Sequence, residues 1–124
     1  MTHPSNEARD VYYQAFTRDE HKCVFCGRDI LESFNSFSAS HLDHLKPSKS
    51  GGTCNDVLNR VTACGVCSNI KGSFDPYPDG PITVSTFDKA VAAARSYISE
   101  KREGKGPYHR DYNYWLKETD QKAG

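Results

Sequence analysis

The sequence predicts a small α+β domain that a structural metal ion stabilises. Two C-x-x-C pairs, Cys23/Cys26 and Cys64/Cys67, can supply four thiolates, which is a complete tetrahedral zinc shell with no open position. Between the pairs, residues 37–45 alternate as a strand does, and the apolar residues of the flanks recur at helical spacing. We therefore expect a zinc-stabilised ββα module with one helix before it and two helices after it.

Length and composition limit the class of protein. The chain has 124 residues, which suits one domain over 1–124 but is short for a fold without a metal or disulfide. Five cysteines, an odd number, and an N-terminus without an apolar signal region favour the reducing cytoplasm over a secreted disulfide scaffold. No apolar run approaches the roughly 20 residues that span a bilayer, so we expect no membrane partner.

Three segments predict helices around the module. Residues 6–16 carry an apolar stripe and, with Ser5 as N-cap, give a helix over about residues 5–16. Ser85, with Asp88 three residues later, predicts the start of a second helix that runs to about residue 103. Its core-facing stripe is Phe87, Val91, Ala94 and Ile98. Tyr108, Tyr112, Trp115 and Leu116 predict a last amphipathic helix over 108–118, so the helical part spans about 84–119.

The first cysteine pair is expected to form a tight knuckle. Gly27 follows Cys26 and permits the turn that points both thiolates at one metal. His21 precedes the pair, but four cysteines already fill the shell, so we do not expect it to bind the metal. Cys54 is left over, and we expect a buried or partly buried thiol without a reactive role.

Asp43 and His44 stand at the exit of the predicted strand, just before a proline. Neighbours on a regular strand point to opposite faces, so both can serve one site only if the strand bends or ends there. His41 shares a strand face with Asp43, and it is either a further site residue or a structural histidine. A carboxylate and an imidazole side by side are suited to hard-metal and proton-transfer chemistry.

The connection between strand and second cysteine pair has three expected features. Gly51-Gly52 permits a backbone path that a side chain would block. Residues 55–61 predict a turn of helix, capped by Asn55 or Asp56, that delivers Asn59 just before the second knuckle. Residues 64–71 predict the module's helix, which ends at Gly72.

The charges are unevenly distributed although sixteen basic and sixteen acidic residues give a formal net charge of zero. A net charge of zero gives no support for a nucleic-acid partner. Residues 45–73, however, contain four basic residues against the single acid Asp56. These four are Lys46, Lys49, Arg60 and Lys71. They form either a local basic face over the site or an ordinary solvated surface.

In order and spacing, these motifs resemble those of the HNH endonucleases. The family's module has C-x-x-C, Asp-His ahead of a Pro, Gly-Gly, an Asn shortly before a second C-x-x-C, and a Lys. Here these are Cys23/Cys26, Asp43-His44-Leu45-Lys46-Pro47, Gly51-Gly52, Asn59, Cys64/Cys67 and Lys71-Gly72. The resemblance covers about residues 18–76 and leaves both flanks unassigned.

The resemblance implies a ββα-metal fold that hydrolyses phosphodiester bonds of DNA. It implies that Asp43 binds a divalent cation such as Mg²⁺, that His44 is the general base, and that Asn59 orients His44. A monomer with one such centre would nick DNA, whereas a homodimer could cut both strands, alone or within a larger phage or restriction complex. The candidate DNA contacts are Lys46, Lys49, Arg60, Lys71 and His41.

One position departs from the family pattern. The residue directly after the second C-x-x-C is usually histidine or asparagine, whereas this chain has Ser68 there and Asn69 next. Helix neighbours differ by about 100° of rotation, so Asn69 can replace the missing ligand only if the backbone is shifted. Both residues are candidate metal ligands. The alternatives are a catalytically weak or inactive zinc-stabilised nucleic-acid-binding module and a zinc-ribbon adaptor for a protein partner.

Overall fold

The computed structural model describes residues 6–103 and 107–123, and within these ranges the fold is α+β. A two-stranded antiparallel sheet and five α-helices make up this part, and four cysteines meet beside the sheet. The elements in chain order are α1 (Asn6–Arg18), α2 (Phe34–Ala39), β1 (His41–His44), β2 (Arg60–Ala63), α3 (Gly65–Lys71), α4 (Phe87–Arg102) and α5 (Pro107–Ala123). That the whole chain is one domain stays a prediction.

Helix α1 closes one face of the sheet. Its predicted stripe contributes Ala15, which is fully buried, and Phe16, which packs at the edge of the core. The predicted cap Ser5 lies outside the described residues. At the other end, the Arg18 guanidinium donates to the Val57 carbonyl at 2.8 Å and to the Arg60 carbonyl at 2.6 Å. These bonds tie the end of α1 to the start of β2.

The two strands pair over four residues each. His41 lies opposite Ala63 and His44 lies opposite Arg60, so the strand ends at the Asp-His pair as expected. The predicted strand over 37–45 was wrong in its first half, because Phe34–Ala39 forms the helix α2 instead. Ser33 caps this helix by accepting a hydrogen bond from the Ser36 N–H at 3.0 Å. That local bond favours helix over the extended backbone which the alternation indicated.

The connection and helix that follow β1 agree with the sequence. Asp56 accepts a hydrogen bond from the Leu58 N–H at 3.0 Å and so caps a short turn at Val57–Asn59. Helix α3 begins directly after Cys64 and ends at Gly72, whose φ of +49° lies in the left-handed region. This conformation favours glycine, which explains the stop at the predicted position.

Helix α4 covers the core from the C-terminal side. The predicted stripe is confirmed, since Val91, Ala94 and Ile98 are buried and Phe87 packs against them. The predicted Ser85 cap was wrong. Thr86 occupies the position before the helix, without a capping bond from its side chain, and its hydroxyl accepts from the Thr83 N–H at 2.8 Å.

Helix α5 is longer than the predicted 108–118. Of its predicted apolar stripe, Tyr112, Trp115 and Leu116 are exposed, and Tyr108 has no described side chain. Among the helices described, none combines the length and the apolar character that crossing a bilayer requires.

We expect Gly52→Ala to destabilise the fold by more than about 3 kcal/mol, because a Cβ there would overlap the Lys46 carbonyl and lie 2.8 Å from Asn59 Nδ2. Gly51→Ala is the matched control. Its φ of +97° also disfavours alanine, but the space around it is open, so the cost should be about 1–2 kcal/mol. Urea unfolding of both variants measures the difference, and equal losses would contradict the close approach at Gly52.

Candidate functional site

Four cysteine sulfurs meet at one point beside the sheet. The Sγ atoms of Cys23, Cys26, Cys64 and Cys67 all lie within 4.8 Å of one another. The first two come from the knuckle after α1, where Gly27 has a φ of +81° and its N–H donates to the Cys23 carbonyl at 2.8 Å. The other two come from the start of α3. The four thiols can hold one metal ion, and four sulfur donors in a closed group fit zinc.

The thiols of this cluster are not electrostatically equivalent. Cys64 lies at the N-cap of α3 and accepts hydrogen bonds from neighbouring thiols and from the Cys67 N–H, which hold its pKa well below the usual range. The hydrogen bond with Cys64 raises the pKa of Cys23 to about 11. Arg102 of α4 places a guanidinium nitrogen 3.5 Å from Cys67 Sγ. Its positive charge can offset part of the negative charge of a Cys₄ centre.

Asp43 and His44 line one open cleft of about 290 Å³ at the exit of β1. The cleft also contains Lys49, and the remaining lining residues are Pro47, Ser48, Gly72 and Ser73. Both residues belong to the second half of β1, which ends at His44. One carboxylate, one imidazole and one ammonium group thus share a space that is open to solvent.

Ser68 lies across from Asp43. Its hydroxyl donates to Asp43 Oδ1 at 3.0 Å from helix α3, whereas the Asn69 side chain is exposed on the same helix. Of the two candidate ligands, Ser68 is therefore the one that the structure brings to the carboxylate. A carboxylate with a hydroxyl beside it offers oxygen donors, which Mg²⁺ and similar hard cations prefer.

His44 has an unexpected neighbour. Its Nε2 lies 3.2 Å from Cys54 Sγ, and Cys54 is exposed. The prediction of a buried or partly buried Cys54 was therefore wrong. Burial lowers the pKa of His44, Arg60 and Lys71 lower it further, and Asp43 opposes them. The net effect keeps the ring neutral to lower pH than an ordinary histidine, which is the form that accepts a proton.

Asn59 acts on the backbone beside the site. It is 2% exposed, its Oδ1 accepts from the Lys46 N–H at 2.7 Å, and its Nδ2 donates to the Lys46 carbonyl at 3.0 Å and the Thr53 carbonyl at 2.9 Å. These bonds fix the chain just after His44 and just before Cys54. The described hydrogen bond of the His44 ring goes to Cys54, so any orientation by Asn59 acts through the backbone.

Two of the predicted DNA contacts, Lys46 and Lys71, have buried side chains. Lys46 Nζ forms a salt bridge with Asp75 at 2.8 Å and donates to the Tyr77 carbonyl at 2.9 Å. Lys71 is 2% exposed, and its Nζ donates to the His44 carbonyl at 3.0 Å and the Phe74 carbonyl at 3.2 Å. A buried ammonium group needs such partners, and these bonds supply them within the protein.

The other predicted DNA contacts stay accessible in part. Lys49 is exposed in the cleft. Arg60 is half-buried, and its guanidinium donates to the Cys54 carbonyl at 2.9 Å and the Leu42 carbonyl at 2.8 Å. His41 is exposed at the far end of β1, in a separate groove beside Tyr12.

Sequence reasoning missed Cys54 as a neighbour of the site, since no spacing rule brings a cysteine after Gly-Gly to a histidine.

If the cysteine cluster is a closed site, purified protein should contain about one tightly bound zinc and lose structure with a strong chelator, because such binding free energy is folding free energy. Cys54→Ser is the matched control and should change neither property, because Cys54 lies outside the cluster. Metal analysis with circular dichroism measures both. Protein that is folded and free of metal would contradict the structural role.

We expect Arg60→Gln to raise the pKa of His44 and Asp43→Asn to lower it, because Arg60 disfavours and Asp43 favours the imidazolium. NMR titration of the His44 ring, without added divalent metal, measures both shifts. In wild type the ring should protonate at lower pH than an ordinary histidine. Shifts of the same sign in the two variants would contradict this electrostatic account.

Comparisons with known proteins give one partial similarity. The chain is 34% identical over 61 residues to the CRISPR-associated endonuclease Cas9 of Corynebacterium diphtheriae. The match covers 49% of this chain but only 5% of that protein. No family model matches the chain, and no solved structure matches it. The matched segment is thus a small part of a protein named as an endonuclease.

Proposed function

We propose that this protein is a metal-dependent endonuclease of the HNH type that hydrolyses phosphodiester bonds of DNA. The observation that supports it most is the open cleft in which Asp43 and His44 lie together, with Ser68 on the facing helix. The similarity to part of a protein named as an endonuclease supports the same class of reaction. DNA as the substrate, rather than RNA, follows from the HNH resemblance.

His44 is the general base in this proposal. Its neutral ring takes the proton from the water that attacks the phosphorus, and a positioned base of this kind contributes roughly 10²–10⁴-fold to the rate. The lowered pKa of His44 means that the base is already deprotonated at neutral pH. The Lys71 ammonium group holds the His44 carbonyl and so fixes the backbone that carries the ring.

Asp43 holds the divalent cation, with Ser68 as a weak second donor. A bound Mg²⁺ or similar ion would neutralise charge that builds on the phosphate. The Ser68 hydroxyl donates to Asp43 Oδ1 at 3.0 Å, and its oxygen keeps lone pairs that could face the same cation. We expect metal binding to be weak until substrate phosphate supplies further oxygen ligands.

Lys49 and Arg60 are the phosphate contacts that this proposal keeps. Lys49 lies exposed in the cleft, and Arg60 borders His44. Such contacts position the DNA without reading its sequence. One module supplies one cutting centre, so a monomer nicks one strand and a homodimer can cut both.

A second candidate function is a zinc-stabilised nucleic-acid-binding module with little or no catalysis. The observation that favours it is the Ser68–Asp43 hydrogen bond, because it places beside the carboxylate a hydroxyl, which is a weaker metal ligand than the histidine or asparagine usual in the HNH pattern. Both candidate functions include the Cys₄ cluster, and they differ only in whether the protein cleaves the nucleic acid that it binds.

A plasmid-nicking assay with added Mg²⁺ or Mn²⁺ tests the proposal. His44→Ala should reduce cleavage by roughly 10²–10⁴-fold, since it removes the base. Ser68→His should lower the metal concentration needed for cleavage, because imidazole is a stronger ligand than a hydroxyl. Lys117→Ala, on the exposed surface of α5, is the control and should cleave as wild type does. Equal cleavage by wild type and His44→Ala would refute the assigned base, and DNA binding without cleavage would favour the second candidate.

A further inference from the structure

We propose that His44 and Cys54 form a second metal site, which binds a thiophilic divalent cation such as Zn²⁺ or Cd²⁺. The two donor atoms, Nε2 and Sγ, already lie 3.2 Å apart, and the thiol is exposed. The site is separate from the Cys₄ cluster, which uses the other four cysteines. Binding depends on these two residues alone, whereas its consequence for cleavage rests on the proposed function.

The spacing of the two donors fits a zinc ion. Zinc binds imidazole nitrogen at about 2.0 Å and thiolate sulfur at about 2.3 Å, so a tetrahedral angle separates the donors by about 3.5 Å. The observed 3.2 Å requires only a small outward movement of either side chain. On binding, the Cys54 thiol releases its proton to solvent, the neutral ring gives its lone pair, and water fills the other positions.

Three side chains, two of them buried and one half-buried, hold the backbone at both ends of this pair. The Cys54 carbonyl accepts from Arg60 at 2.9 Å, and the preceding Thr53 carbonyl accepts from Asn59 at 2.9 Å. The His44 carbonyl accepts from Lys71 at 3.0 Å. Because both ligands are positioned before a metal arrives, little chain entropy is lost on binding.

The cleft therefore offers two donor pairs of different hardness. Asp43 and Ser68 present oxygen atoms, which suit Mg²⁺, while His44 and Cys54 present nitrogen and sulfur, which suit Zn²⁺ and Cd²⁺. Arg60 and Lys71 oppose a cation near His44, whereas Asp43 and the Cys54 thiolate favour it. With two protein ligands instead of four, this site binds more weakly than the Cys₄ cluster. A bound thiophilic ion occupies Nε2 and blocks the base.

Calorimetric titration of the zinc-loaded protein with further Zn²⁺, in excess Mg²⁺, tests the binding. Wild type should take up one additional equivalent, and Cys54→Ser should bind it at least about tenfold more weakly, because a hydroxyl is a poor zinc donor. His41→Ala removes an exposed imidazole on the same strand and should keep the additional equivalent. No additional equivalent in wild type, or equal affinity in Cys54→Ser, would overturn the inference.

Plasmid nicking with and without added Zn²⁺ tests the consequence. The nicking rate with added Zn²⁺, divided by the rate without it, should be well below one in wild type. The same ratio should stay near one in Cys54→Ser. If wild type binds the additional equivalent but never nicks DNA, the metal site stands and the proposed function fails. If wild type nicks DNA with the same ratio as Cys54→Ser, the blocking role of the pair is wrong while the nuclease function stands.

Discussion

The fold depends on the convergence of four cysteine sulfurs from two distant parts of the chain. Cys23 and Cys26 follow α1, while Cys64 and Cys67 begin α3, and the sheet lies between these two segments. The sheet has only two strands of four residues each, and an isolated pair of that size is marginal in water. Joining its flanks at one point supplies the constraint that the sheet itself lacks. A small core around Val61 and Ala63 then packs against α4.

The second constraint is a set of buried polar groups that hold the loop after β1. Asn59 bonds to both backbone groups of Lys46, and the Lys46 ammonium group reaches Asp75 beyond α3. Lys71 reaches back from α3 to the His44 carbonyl. Asn59, Lys46 and Lys71 are each buried with a partner, so removing one would leave another group unsatisfied at a cost of about 1–3 kcal/mol. Lys46 and Lys71, which the sequence placed in a local basic face, therefore hold segments of the chain together inside the protein.

Sequence reasoning succeeded where local chemistry decides the structure. The cysteine spacing predicted the cluster, the glycine predicted the end of α3, and Asp56 predicted the turn before Asn59. It failed where tertiary contacts decide. The alternation of 37–45 could not reveal that Ser33 would cap a helix, and charge counting could not reveal that Lys46 and Lys71 point inward. The sequence left Ser68 and Asn69 both open as the residue that faces Asp43, and the structure places Ser68 there. The Cys54–His44 contact depends on the path of a glycine loop, which no sequence pattern predicted.

Helix α3 contacts both of the neighbouring residues Asp43 and His44. Ser68 meets the carboxylate, and Lys71, one turn further on, holds the backbone of the imidazole, so a displacement of α3 moves both sides together. The same helix packs on α4, and the stacked rings of Phe74 and Tyr97, 4.1 Å apart, fasten the segment after α3 to α4. The relative position of the Asp43 and His44 side chains therefore depends on how α3 packs on α4. Changes on the far side of α4 would alter it without touching any group in the cleft.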